Sequence, residues 1–175
     1  MKKGKSVIIT SPDNDELLRL IENESEIVKN ESIKDNLVKM VVFYIDDKLY
    51  AVYGALIQEV VIDFKIFYLP FAPVYIKGLI NRHGEPYSVI DIKQLLNNVS
   101  INGRTFLVLR NRIDRISFLI SSIYKIINIS SNEIHSISSV NEGEDFFEGA
   151  VSIDGHEVFI INTQKIIEKI SNDIK

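Results

Sequence analysis

Three histidines, His83, His135 and His156, are the side chains of this chain best suited to metal ligation or to proton transfer near neutral pH. Either chemistry needs spacing, such as two ligands on one face of a helix or strand with a carboxylate or thiolate completing the set. That spacing is missing. There is no HxH or HExxH arrangement, and the absence of cysteine removes thiol nucleophiles, zinc–thiolate sites and disulfides together. The eight glycines are scattered singly and form neither GxGxxG nor GxxxxGK, and no GxSxG elbow presents a nucleophile. Nothing pairs the many serines and aspartates with a positioned base. These residues predict no catalytic set, no metal and no cofactor, and a function that lies in surfaces.

The bulk composition narrows the surfaces. At 175 residues and 46% hydrophobic the chain can bury one domain core or two small ones, and no apolar run is long enough to span a bilayer. The start, MKKGKSVIIT, lacks the apolar core of a secretory signal, so the expectation is a cytoplasmic protein. A net charge of −4, with basic and acidic residues well mixed, argues against a nucleic-acid partner, which would favour a basic stripe. The stretch FKIFYLPFAPVYIK is the one place where a small barrel could carry aromatic platforms for single-stranded nucleic acid. It reads better as a half-buried strand running into a proline-braced loop.

Two regions differ in pattern. Residues 1–37 carry eight acidic and three basic residues between Ser11 and Asn36 and no aromatic there. Ser11-Pro12 has the form of a helix start, and Leu17, Leu20, Ile21 and Val28 form one thin apolar face. This segment is expected to be a solvated, partly helical extension, with a docking segment as the alternative. From residue 38 to 175 the pattern is that of strands. Ten short runs rich in β-branched and aromatic residues alternate with polar turns such as IDDKL, NRHGEP and IDGHE. An all-β fold follows, as a barrel or sandwich.

The chain also repeats itself. GLINRHGEPYSVIDIKQLL, Gly78 to Leu96, aligns without a gap with GAVSIDGHEVFIINTQKII, Gly149 to Ile167. Glycines match, Asp91 and Asn162 both open an amphipathic segment as helix caps, and His83 and His156 fall in corresponding turns. A second match relates Leu49–Val61 to Arg115–Ile127. Duplication predicts two small β-barrels packed together, each of about five strands and each built from one copy of the repeat.

Read in order, Tyr50, Ile57-Gln58-Glu59-Val60, Pro70, Pro73, Gly78, Asn81, Gly84, Val89 and Asp91 trace a family pattern. Over about Met40 to Lys169 the sequence resembles CheW, the adaptor that joins the histidine kinase CheA to chemoreceptors in bacterial chemotaxis. The resemblance implies two five-stranded SH3-like β-barrels and no catalysis. It implies as partners the regulatory domain of CheA and the cytoplasmic tip of a chemoreceptor, with other CheW-like proteins as further candidates, and neither nucleic acid nor membrane insertion. Carried over by motif, the contact positions are Ile57, Glu59, Lys77, Gly78, Asn81, Arg82, His83 and Gly84. A CheW-like scaffold outside chemotaxis and a small-barrel nucleic-acid binder are the alternative readings.

Three departures from the pattern carry expectations. The family's Asn-Leu-Arg-Gly is Asn81-Arg82-His83-Gly84 here. The resemblance implies that the family's arginine lies near the motif glutamate and can pair with it. Because neighbouring strand residues face opposite sides, Arg82 is not expected to replace it. A pair kept here would be Glu59 with His83, weaker near neutral pH because an imidazole is mostly uncharged there. Ser88 in place of a proline removes a φ restraint and is expected to loosen its strand. Ser121-Ser122-Ile123-Tyr124 stands where many members have Val-Asp-x-Val.

Overall fold

A computed structural model describes residues 36–111, 114–137 and 146–174. The expected N-terminal extension, residues 1–37, lies outside the described residues except for its last two. Strands begin at once: β1 (Leu37–Ile45), β2 (Lys48–Tyr53), β3 (Ile57–Ile62), β4 (Ile76–Arg82), β5 (Glu85–Asp91), then helix α1 (Ile92–Asn97). The second half runs β6 (Thr105–Leu109), β7 (Ile116–Ile120), β8 (Ser122–Ser130), β9 (Phe147–Ile153), β10 (His156–Ile161) and helix α2 (Thr163–Asp173). The fold is mostly β, as the strand-like runs foretold, and those runs match the ten strands one for one. The exception is the run from Glu59 to Leu69, which ends as a strand at Ile62. Asp63 there adopts φ 61°, a left-handed turn of the backbone that a strand cannot continue through.

The strands form two five-stranded sheets, in the order β8-β1-β2-β10-β9 and β3-β6-β7-β5-β4. Substituting β1–β5 for β6–β10 turns one order into the other, so the sequence repeat is a pseudo-two-fold of the fold. Even the irregularities repeat. Bulges at Gln58 and Lys77 correspond to bulges at Tyr124 and Glu148. Each sheet closes on itself. The chain beyond β3 bends so that Phe67 and Leu79 exchange backbone hydrogen bonds of 2.7 and 2.8 Å, and beyond β8 His135 and Ala150 do the same at 2.8 Å. Closure explains the matching glycines. A Cβ on Gly78 would lie 2.2 Å from the Phe67 carbonyl oxygen, and one on Gly149 would lie 2.9 Å from that of His135.

The barrels are not built one per repeat, which corrects the expectation from sequence. The central barrel holds β3 to β7, and the terminal barrel holds β1, β2 and β8 to β10. The reason is the length of two links. Only Ser121 separates β7 from β8, and one residue cannot reverse a chain as a two-residue hairpin does. The strand therefore continues straight into the other barrel. The 3-10 turn Gly54–Leu56 does the same between β2 and β3. Each repeat lends two strands to one barrel and three to the other.

Interleaving shapes the core. One apolar cluster fills the terminal barrel with Met40, Val42, Ala51, Val151, Val158 and Ile160. A larger one fills the central barrel around Ile80, Val89, Phe106, Val108 and Phe118, and takes in Val41, Phe43 and Val52 from the opposite faces of β1 and β2. Buried on both sides, β1, β2, β6 and β7 read as continuous apolar runs and not as alternations. Each fully buried Phe there contributes about 2–3 kcal/mol of burial free energy. The hairpin turns are as expected. His83-Gly84 (φ 51° and 84°) and Asp154-Gly155 (φ 52° and 78°) both take the doubly left-handed form that matches strand twist.

Candidate partner-binding site

Of the residues singled out by motif, Glu59 and the Asn81–Gly84 turn region meet at one rim of the central barrel, whereas Lys77 lies at the opposite end of β4, beside Asp91 at the start of α1. Along β3, Ile57 and Val61 are buried and Glu59 is half-buried between them, so Glu59 points inward at the barrel rim. Along β4, Gly78 and Ile80 are buried and Arg82, two residues on, shares their face at the strand's end. Barrel closure brings those two rims together. The Arg82 Nε–H donates to Glu59 Oε1 at 2.8 Å, and a terminal nitrogen of the same guanidinium donates to Oε2. The guanidinium also lies 5.1 Å from the centroid of the Phe64 ring. This fork holds the Glu59 carboxyl below the usual carboxylate range, against burial, which pushes it up.

Here the expected Glu59–His83 pair is overturned. His83 is the first residue of the turn, exposed and left-handed, and adds only a through-space attraction to Glu59. Position 82, not 83, shares the inward face with Gly78 and Ile80, because β4 ends at Arg82 and His83 already belongs to the turn. Ser88 also behaves differently from expectation. Its N–H donates to the Arg115 carbonyl at 2.8 Å, a bond no proline could make, and ties β5 to β7.

The remaining motif residues serve the frame more than the surface. Ile57 is 8% exposed and Gly78 is buried, so both act through the shape they allow. Lys77 reaches the fully buried carboxylate of Asp91 at 3.6 Å. Asp91 also accepts from the N–H of Gln94 (3.0 Å) as the cap of α1, from Ser100 Oγ (2.7 Å) and from the N–H of Ile101 (3.1 Å). Asn81 Oδ1 accepts the Gly84 N–H at 3.0 Å and fixes the turn.

Sequence reasoning missed the apolar surface beside this rim. Val60 and Ile62 face outward from β3, and the β3–β4 loop displays Phe67, Tyr68, Val74 and a wholly exposed Phe71 at φ 61°. A run this apolar suggests burial, and only Pro70 and Pro73 marked it as a surface loop. No group of histidines and carboxylates that could hold a metal occurs among the described residues, and no described helix is long and apolar enough to cross a membrane. What the rim offers is a locked charge pair flanked by apolar surface. That is the chemistry of recognition.

A family model described as the CheW-like domain matches residues 39–171. No curated protein matches the chain. Among solved structures, the crystal structure of the scaffolding protein TtCheW from Thermoanaerobacter tengcongensis is similar, with a TM-score of 0.65 at 26% identity, covering 71% of this chain and 88% of that one.

Proposed function

The chain belongs to the CheW-like domain family, and from that premise we propose that it is a non-catalytic cytoplasmic adaptor that couples chemoreceptors to the histidine kinase CheA. The observation that carries this reading is the Glu59–Arg82 fork at the central barrel rim. The family's charge pair is re-formed from the neighbouring position, on the inward face of the strand. A pair held this way, at side-chain exposures of 20% and 25%, is accessible enough to meet a partner and rigid enough to set its register. The outward apolar residues Val60 and Ile62 beside it supply area to bury.

In this reading the rim from Glu59 to Gly84 faces the receptor's helical tip or the CheA regulatory domain. Arg82 takes the role of the displaced arginine, and other CheW-like proteins share the same surfaces. Titration calorimetry of the full chain against a receptor hairpin fragment and against the CheA regulatory domain tests it. The expected result is saturable binding to at least one, weakened by Arg82→Ala and unchanged by His83→Arg. No binding to either up to roughly 100 μM, about −5.5 kcal/mol, overturns the proposal.

A further inference from the structure

Phe64 lies outside the motif set, yet the turn before it carries its ring to the rim pair. On β3 the inward positions are Ile57, Glu59 and Val61, so an unbroken strand would send residue 64 outward with Val60 and Ile62. Asp63 breaks that count. Its left-handed backbone, at φ 61°, is held by its own N–H donating to the Arg104 carbonyl at 2.9 Å, and the two side chains form an ion pair at 2.7 Å. Beyond this turn Phe64 is half-buried and packs on the central core. Its ring thereby meets the guanidinium that Glu59 grips.

Arg82 is thus held twice. The edge of its guanidinium forks onto Glu59, and its central carbon lies over the Phe64 ring, 5.1 Å from the centroid. The two contacts restrain different motions. A fork fixes where the charge sits but lets the guanidinium plane hinge about the carboxylate, and a ring face beneath the plane opposes that hinge. Water reaches this half-buried pair, so the hold of the ring adds to a fork that solvent weakens. Orientation matters because the donors are directional. Of the five N–H donors of a guanidinium, two go to Glu59, and the other three have no acceptor among the described residues.

We propose that Phe64 is the positioning residue of this rim, holding the Arg82 guanidinium in the plane that presents its remaining donors to an oxygen acceptor of the partner. The inference rests on the rim being the partner surface and names the residue that orients it. The line of restraint runs from the Asp63–Arg104 turn through Phe64 to Arg82 and so to Glu59. Phe64 itself acts through Arg82 and not by touching the partner.

Two variants of the full chain test it. Phe64→Leu keeps an apolar side chain on the core and removes the ring face, whereas Phe64→Tyr keeps both. Solvent exchange of the Arg82 Nε–H, followed by NMR in the isotopically labelled protein near neutral pH, reads the fork without any partner. Glu59→Gln supplies the rate for a broken fork. Exchange in Phe64→Leu is expected to be roughly two- to fivefold faster than in the parent, the factor that an exposed cation–ring contact supplies, and unchanged in Phe64→Tyr. Affinity for whichever fragment the parent binds, the receptor hairpin or the CheA regulatory domain, is expected to fall by a similar factor in Phe64→Leu and to return in Phe64→Tyr. In an Arg82→Ala background Phe64→Leu should change nothing further. A ring that only fills the core would lower the melting temperature and move neither readout, which overturns the proposal. An affinity loss of the same size with and without Arg82 overturns it as well. If the parent binds neither fragment, the adaptor reading falls, and the exchange rates alone decide whether Phe64 positions Arg82.

Discussion

The two barrel rims occupy equivalent places in the repeat and carry opposite electrostatics. At the central rim the carboxylate is on the crossing strand, at Glu59, and the cation is Arg82 at the end of the hairpin strand. At the terminal rim the equivalent of Glu59 is Lys125, and its partner is Asp154, the first residue of the turn. Asp154 also accepts the Tyr124 hydroxyl at 2.7 Å, and Tyr124 rests edge-on against Tyr44. Deeper in, the bulge residue Lys77 faces the buried Asp91, while its counterpart, the bulge residue Glu148, has no cation partner among the described residues, and the cap equivalent to Asp91 is the neutral Asn162. A duplicated backbone thus tolerates inverted charge as long as each pair is balanced locally. It also shows that a pair across the closure can be made from the last strand residue or from the first turn residue. The long Arg serves from the strand, and the short Asp serves from the turn.

The closure itself is where the comparison breaks hardest. Gly78→Ala puts a methyl group 2.2 Å from a backbone carbonyl at φ 137°, whereas Gly149→Ala meets the equivalent oxygen at 2.9 Å without a positive φ. Gly78→Ala is expected to cost about 3 kcal/mol or more in urea denaturation, and Gly149→Ala about 1–2 kcal/mol. Equal losses would mean that the two closures are mechanically the same. The caps come next. Asp91→Ala strips the helix cap, orphans the Ile101 N–H and leaves Lys77 without its carboxylate, for about 2–3 kcal/mol. Asn162→Ala removes one cap bond and costs about 1 kcal/mol. A cost for Asn162→Ala that matches Asp91→Ala would show that Lys77 and Ser100 add nothing.

Much of this was legible in the residues. Strand-like runs, turn glycines and cap residues lie within a few positions of each other in sequence, and local sterics alone dictate them. The repeat was legible too, but not its interleaving, because the single link Ser121 looks like any polar turn until the direction of β7 and β8 is known. The Glu59–Arg82 fork failed for a related reason. Strand alternation was the right physics, yet it was counted through His83, where the turn had already begun. The Phe67–Val74 loop was half legible: Pro70 and Pro73 marked a loop, but the full exposure of its apolar side chains did not follow from them. Exposure of apolar residues is a fact about what is missing in space, and sequence patterning records only what is present.

The charge pairs sharpen the comparison further. Double-mutant cycles through Glu59→Gln and Arg82→Met, and through Lys125→Met and Asp154→Asn, are expected to give the larger coupling at the central rim. There the pair is forked and less exposed, and added salt should erode it less. Equal couplings with equal salt dependence would make the fork irrelevant.

The smallest effect separates two glutamates by the sign of their pH dependence. Glu59 is depressed, chiefly by its hydrogen bonds to Arg82, so its contribution to stability is present above the unfolded carboxylate pKa and fades as pH falls through the folded one. Glu148 is raised by burial, so the folded state prefers it protonated. Its contribution is complete below the unfolded pKa and lost as pH rises through the folded value. Glu148→Gln should therefore stabilise the protein near neutral pH, by roughly 0.3 kcal/mol once solvent screening of this largely exposed group is allowed for, and should do nothing in acid, below the unfolded carboxylate pKa. Glu59→Gln should do the reverse, destabilising near neutral pH and converging with the parent in acid. Thermal melts across that range, with the two variants side by side, decide it. If both variants lose stability at neutral pH, Glu148 has a cationic partner, and the asymmetry between the two bulges is not one of charge.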